Sequence, residues 1–451
     1  MRTALKFALV AGLSVASLSP LTGADWPHWR GPAGTGVSAE KGLLATWPKD
    51  GPKLLWKSKE AGNGYAGMAV VGGIVYTMGA VKDDKAVKLD KKDKDYYVIK
   101  GDEFAIALDA SGKKLWSTKI GPVLDWNTNQ WSWGPNAMPT VDGDHVYCLG
   151  SKGDLLCCKK ADGAKVWSKN LPKDLGGLLV DTSGGFPKLG WGYSSSPVVD
   201  GDRLILTPGG PQGLFAALDK KNGNLLWRSK AVTDKALYVT PTVATIGGVK
   251  QYITMTQLGL TSVSAETGEL LWQWKSEDEL PDVLCPSPIV EGNLVYASYG
   301  LVGAGSGCVG LKIDVKGKKF TATVPYNSNS VLGNRQGGVV LIDKHLFGYN
   351  EDRGLVCQDL ETGKSVWPRA TQAIKVGSIV AGDGKLFVLA EDGKVAMIEA
   401  SPKKYNLLGK FELPEKAKKV KPSAKVWTHP SLSDGKLYLR DQELVFCYEV
   451  K

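Results

Sequence analysis

Histidine is nearly absent from this chain. His28, His145, His345 and His429 are the only four, scattered and without the spacing of a metal-ligand set, which leaves no sequence basis for a bound metal. Long hydrophobic runs are missing as well. Beyond the first 24 residues no segment reaches the ~18 apolar residues of a membrane-spanning helix. No Cys-x-x-Cys-His occurs, so a haem c attachment is excluded. The net charge is +10, yet no block of one sign exists; lysines alternate with acids, as between Lys82 and Lys94. Such a charge is screened beyond about 8 Å at physiological salt, so a nucleic-acid surface is not expected. Seven cysteines are an odd number without the spacing of a disulfide framework. No long stretch shows helical periodicity.

What is present begins with an expected export signal over residues 1–24. Arg2 and Lys6 supply charge, Phe7 to Leu18 is apolar, and Thr22-Gly23-Ala24 offers small residues for cleavage before Asp25. No cysteine stands at the cleavage point, so a lipid anchor is not indicated, and a periplasmic or secreted location is expected.

The remainder repeats. The clearest copy runs Ser195 to Gly201, Arg203 to Leu206, Leu214 to Asp219, then Gly223 and Leu225-Leu226-Trp227. Glycine precedes tryptophan by four residues at Gly112/Trp116, Gly163/Trp167, Gly223/Trp227, Gly268/Trp272 and Gly363/Trp367. Gly317 to Phe320 keeps an aromatic one position early, and Lys403 to Phe411 keeps only apolar residues. Cys157, Cys357 and Cys447 fall in the slot held by Ala217, which predicts a small buried site. Opening segments near Gly67, Ala137, Ser195, Thr240, Pro286, Gln336, Gly377 and His429 make eight copies, most separated by the ~40–60 residues of a four-stranded propeller blade. The last copy stops after three strands, and Pro52 to Ser58, with Trp56, is the missing outer strand. The expected fold is therefore all-β: an eight-bladed propeller of four-stranded blades over residues 52–451, closed by an N-terminal strand and preceded by an arm over 25–51. Seven blades plus a cap is the alternative.

Ala217 to Trp227 resembles the tryptophan-docking repeat of the quinoprotein alcohol dehydrogenases, Ala-x-Asp-x-x-x-Gly-x-x-x-Trp. Leu108 to Gly112 and Asp359 to Gly363 are similar. Asp25-Trp26-Pro27-His28-Trp29-Arg30-Gly31-Pro32 resembles the leader of exported pyrroloquinoline-quinone (PQQ)-like propellers. The resemblance implies the fold, but the same repeat serves non-catalytic members, including a scaffold lipoprotein of outer-membrane assembly. Catalytic members hold PQQ over Ca²⁺ with Glu, Asn and Asp ligands, an Asp base and an Arg, some with a disulfide between adjacent cysteines. Cys157-Cys158 lies inside a strand, where neighbours point to opposite faces, so packing is the expected role.

Loops joining one blade's outer strand to the next blade's inner strand should share a face around the channel. They carry Tyr65, Trp126, Asn127, Gln130, Trp131, Trp133, Trp191, Tyr193, Tyr238, Asn334, Arg335, Gln336, Lys375, Trp427 and His429. Aromatic and amide groups on a rigid scaffold suit ligand binding; the opposing expectation is that these rings pack on one another. Acids are few there. Asp125 and Asp282, with Arg335, are the catalytic candidates, and no Glu-Asn-Asp set can be matched. The expected function is a binding or scaffold module for a protein or glycan, with no cofactor assigned. The alternative is a PQQ- and Ca²⁺-dependent dehydrogenase oxidising an alcohol or sugar.

Overall fold

The computed structural model describes residues 25–83, 87–88, 97–124, 126–127, 134–181, 190–300, 306–328, 331–350, 353–368, 374, 376–417 and 425–451, with 87–88, 97–99 and 126–127 described in backbone only. It is an eight-bladed β-propeller. The blades' inner strands are Ala69–Val71, Thr140–Asp142, Val198–Asp200, Thr242–Ile246, Ile289–Glu291, Val339–Ile342, Gly377–Gly382 and Ser431–Ser433, each beginning within a few residues of a sequence-read opening segment. Blade 3 is typical: Val198–Asp200, Arg203–Leu206, Ala216–Asp219 and Leu225–Arg228 pair antiparallel in sequence order. Blade 6 keeps a ladder of three strands, and its outer strand is reduced to a bridge between Gln358 and Ser365. The one helix among the described residues is the five-residue turn Leu171–Leu175.

The closing strand is where the sequence puts it. Leu54–Ser58 pairs with Leu444–Glu449 as the outer strand of blade 8, Trp56 opposite Cys447. In the same register Trp116 faces Ala107, Trp167 faces Cys157 and Trp227 faces Ala217. The cysteine slot is thus small because an indole lies across from it, and Cys157, Cys357 and Cys447 are fully buried.

Four docking tryptophans, Trp56, Trp116, Trp167 and Trp227, lean on the turn glycine of the next blade. A Cβ on Gly112 would lie 2.5 Å from the Trp56 ring, one on Gly163 2.6 Å from Trp116, one on Gly223 2.9 Å from Trp167, and one on Gly268 2.4 Å from Trp227. These glycines also have positive φ, between 73° and 82°, which L side chains adopt poorly. The Trp116 and Trp167 indoles donate to the carbonyls of Lys160 and Lys220, both at 3.1 Å. Trp227 instead stacks on Tyr252, and its buried indole N–H has no partner among the described residues. In blade 5 the docking ring is not Phe320. The outer strand runs on to Ser328, and Tyr326 lies over Gly363 and donates to the Leu360 carbonyl at 2.7 Å. This aromatic stands nine residues past Gly317, against four in the other copies.

The arm is part of the ring. Trp26 bridges Val70 of blade 1, and the Pro27 carbonyl accepts from Val141 of blade 2. Arg30 donates to Val339 of blade 6, and Val37–Ser38 pairs in parallel with Gly377–Gly382 of blade 7. Blade 1 lies opposite blade 5 in a ring of eight, so a segment bonded to blades 1 and 2 at one end and blades 6 and 7 at the other crosses the axis. Trp47 then packs on Phe387 and Phe411 before the chain enters the closing strand.

Candidate functional site

The blade-to-blade connections converge on one cavity of about 280 Å³. Seven of the sequence-read residues line it: Tyr65, Trp191, Tyr238, Arg335, Gln336, Trp427 and His429. They come from the segments leading into blades 1, 3, 4, 6 and 8, so the site exists only in the closed ring. Tyr65 and Trp427 meet at 5.1 Å between ring centroids. The Trp191 backbone N–H donates to the Tyr238 hydroxyl at 3.0 Å, and burial pushes that phenol's pKa up.

Glu391, on blade 7, organises one wall. Its Oε1 accepts from the Gln336 amide at 2.9 Å and the Trp427 indole at 2.7 Å, and stands 3.6 Å from the Arg335 guanidinium. Lys425 approaches its Oε2 at 3.9 Å. Arg335 in turn sits 5.7 Å above the Trp427 ring, a cation–π geometry. The loops before blades 6 and 8 are thereby tied through the carboxylate between them.

The floor comes from the arm. Trp29 lines the cavity, its indole donates to Ser287 Oγ at 3.0 Å, and its ring meets His429 edge-on at 4.6 Å. His429 Nε2 lies 2.8 Å from the Gln336 carbonyl and acts as the donor there. Burial, helped by Arg30, lowers its pKa to about 4, so the ring is neutral at pH 7. Asn136 and the half-buried Cys285 complete the wall; the same burial raises the Cys285 thiol to about 12, which keeps it un-ionised and a poor nucleophile.

Two residues expected at the site stand elsewhere. Tyr193 is buried in the core and donates to the Pro208 carbonyl at 3.1 Å. Asn334 is a buried loop brace, donating to the carbonyls of Gly338 and Tyr349 and accepting from Gly338 N–H. Alternation along a loop sends neighbours of a surface residue inward, which composition alone does not show. Asp282 is half-buried beside the wall residue Val283 and does not line the cavity. Trp126 and Asn127 are described in backbone, paired with Tyr97–Ile99, while Asp125, Gln130, Trp131, Trp133 and Lys375 lie outside the described residues. Trp29, Cys285 and Glu391 were not read as site residues. The arm motif Trp-Pro-His-Trp was the available signal for Trp29; nothing local marked Glu391.

The donor set does not suit PQQ held over Ca²⁺. Calcium takes six to eight oxygen ligands, several of them carboxylates. Among the described residues the cavity wall carries no carboxylate, and no cluster of three or more His, Cys, Asp or Glu could hold a metal. Glu391 is engaged by Gln336 and Trp427. Cys157 and Cys158 are both free, buried thiols.

Comparison with known proteins finds relatives of the same fold. The outer membrane protein assembly factor BamB of Escherichia coli K12 is 23% identical over 334 residues, 65% of this chain and 79% of that protein. BamB of Shewanella oneidensis is 24% identical over 239 residues, 51% of this chain and 56% of that protein. Among solved structures, BamB from Moraxella catarrhalis superposes with a TM-score of 0.52 at 15% identity, covering 83% of this chain and 98% of that one. The quinohemoprotein alcohol dehydrogenase of Comamonas testosteroni gives 0.58 at 13% identity over 95% of this chain and 80% of that one. Such low identities show a shared fold and not a shared chemistry. Residues 102–369, more than half of the sequence, match the family model described as PQQ_2, outer membrane protein assembly factor BamB, and the chain belongs to that family of PQQ-like β-propellers.

Proposed function

We propose that this propeller is a non-catalytic binding or scaffold module, exported from the cytoplasm, that takes a protein or glycan on the loop face around its central axis. The observation that carries this reading is the cavity wall: aromatic rings and amides from six blade connections, braced by Glu391 from outside the lining, with no carboxylate among the described lining residues. Tryptophan and tyrosine provide contact area at low entropic cost. The relatives named as assembly factors support a scaffold role. The experiment is a glycan and peptide panel screened against the wild type and a Trp191→Ala/Trp427→Ala variant. A ligand lost in the variant is the expected result; a panel that binds both proteins equally contradicts the loop-face assignment. The quinoprotein fold neighbour motivates a control, in which PQQ and Ca²⁺ are titrated by absorbance. No saturable binding is expected.

A further inference from the structure

Blade 7 is a repeat copy without a docking tryptophan of its own, and the arm makes up for it. Its outer strand Leu407–Glu412 pairs with Lys394–Glu399 so that Gly409 stands opposite Met397, beside a bulge. Trp227 opposite Ala217 and Trp116 opposite Ala107 hold that place in blades 3 and 1, each beside the same bulge. An indole nevertheless fills it. Trp47 of the arm donates its backbone N–H to the Leu408 carbonyl at 3.3 Å and is buried. A Cβ on Gly409 would lie 2.6 Å from the Trp47 Cβ. Gly409 has no positive φ, so the backbone does not demand glycine there; Trp47 does.

The seat on blade 8 is borrowed as well. That blade takes its outer strand from Leu54–Ser58, so no hairpin turn supplies a glycine. Gly51, at φ +85°, stands just before the strand, and a Cβ on it would lie 2.5 Å from the Phe411 ring. This is the relation Gly112 has to Trp56. Trp47 and Gly51 belong to one short turn, closed by Gly51 N–H on the Pro48 carbonyl at 3.0 Å.

The segment that carries them is lightly fastened. Between Ser38 and Gly51 only Leu43 and Trp47 are buried. Trp116, Trp167 and Trp367 each donate an indole N–H to a carbonyl of the next blade, but the buried Trp47 indole has no partner among the described residues. An unmade bond weakens the fastening, and a segment with few buried anchors opens at lower cost than the strands beneath it.

The other end of the same seam is the cavity wall. Glu391 belongs to blade 7 and Trp427 to the connection into blade 8, and the bond between them crosses the seam. Val426 N–H to the Glu391 carbonyl at 3.0 Å and Ser378 Oγ to the Trp427 carbonyl at 3.2 Å cross it too. Between rim and wall, Phe387, Leu389 and Phe411 pack in one apolar cluster with Leu432 and Leu437, a continuous path for a shift at the rim.

We infer that residues 39–51 are a strap across the seam between blades 7 and 8, that Trp47 docks in place of the tryptophan blade 7 lacks, and that its release loosens the Glu391–Trp427 wall. Trp47 is thus a positioning residue for the cavity. Only the consequence for a ligand rests on the loop-face reading above.

The test is hydrogen–deuterium exchange on the chain from Asp25 onward. In the wild type the bonded amides of Leu43, Leu44 and Trp47 should exchange at least about tenfold faster than those of Lys385–Ala390. Gly409→Ala puts a methyl against Trp47 without altering the arm. It should speed exchange of the strap amides and of Val426, and leave Arg203–Leu206 of blade 3 unchanged. Trp47→Ala, which empties the slot instead of overfilling it, should do the same and repeats the test should Gly409→Ala not fold. Trp47→Phe, which keeps a ring there, should stay close to the wild type. Strap amides no faster than Lys385–Ala390 in the wild type, or a Val426 amide unmoved in both Gly409→Ala and Trp47→Ala, overturns the inference. Faster Val426 exchange with undiminished affinity for a ligand from the panel would keep the strap and contradict the loop-face reading.

Discussion

At the scale of single residues, the repeat was legible because its chemistry is crude. An indole needs a flat, hydrogen-sized seat, and only glycine supplies one at positive φ. Gly112 is the sharpest case, since its seat holds Trp56, the ring that seals the propeller. Gly112→Ala places a methyl into that ring and strains φ of +82°; we expect a loss of about 2–4 kcal/mol, seen as a lower Tm and lower denaturant midpoint. Gly72→Ala has the same positive-φ penalty but open space around the new Cβ, and should lose clearly less. Equal losses would mean that the docking contact contributes nothing. The site was half legible for the opposite reason. Aromatic content marked the loops, but which residue of a pair faces the cavity depends on backbone geometry that composition does not encode, as Tyr193 and Asn334 show.

At the scale of elements, the segment ending at Leu124 is held by a buried acid the sequence did not mark. Glu103, on the third strand of blade 1, accepts from Ser151 N–H at 2.8 Å and Ser151 Oγ at 2.6 Å, and Ser151 Oγ also accepts from Leu124 N–H at 3.1 Å. Burial raises the Glu103 carboxyl to about 7, with Asp154 adding to the rise and Lys152 opposing it. A carboxyl whose folded pKa lies above its unfolded value stabilises the fold fully at low pH, and that stabilisation is lost as pH rises from about 4.5 through about 7. The Glu103 contribution to Tm should accordingly fall between pH 5 and pH 8, opposed below about pH 6.5 by His429, whose lowered pKa makes the fold gain stability as pH rises. Glu103→Gln, which keeps an acceptor for Ser151, should remove up to about 3 kcal/mol of that decline; an unchanged pH slope would show that Glu103 does not titrate in this range. The arm makes the same point about elements. Its motif was visible at Trp26 to Pro32, but its path across the axis depends on strands hundreds of residues away.

At the scale of the whole molecule, closure was legible from arithmetic on strands: three at the C-terminus, one left over near the N-terminus. A second lock was not. Arg440 of blade 8 is fully buried and spends its guanidinium on blade 1 and the loop leading into it, donating to Ala66 O, Thr77 Oγ1, Met78 O and Gly62 O between 2.6 and 3.0 Å. Arg440→Met strands these acceptors and should lose about 3 kcal/mol or more. Because the cavity needs Tyr65 of the blade 1 connection beside Trp427 of the blade 8 connection, ligand affinity should fall with stability; a stable variant that loses nothing would separate the ring seam from the site.

The central claim is that function resides on the face where the blade connections converge on Trp29. Hydrogen–deuterium exchange with and without the tightest ligand from the panel tests it without any mutation. Protection should appear in the segments around Trp29, Tyr65, Trp191, Tyr238, Cys285, Arg335 and Trp427, and the outer strands such as Leu225–Arg228 should be unchanged. Protection confined to those outer strands, or to the turns on the opposite face at Gly72 and Gly201, would contradict the account.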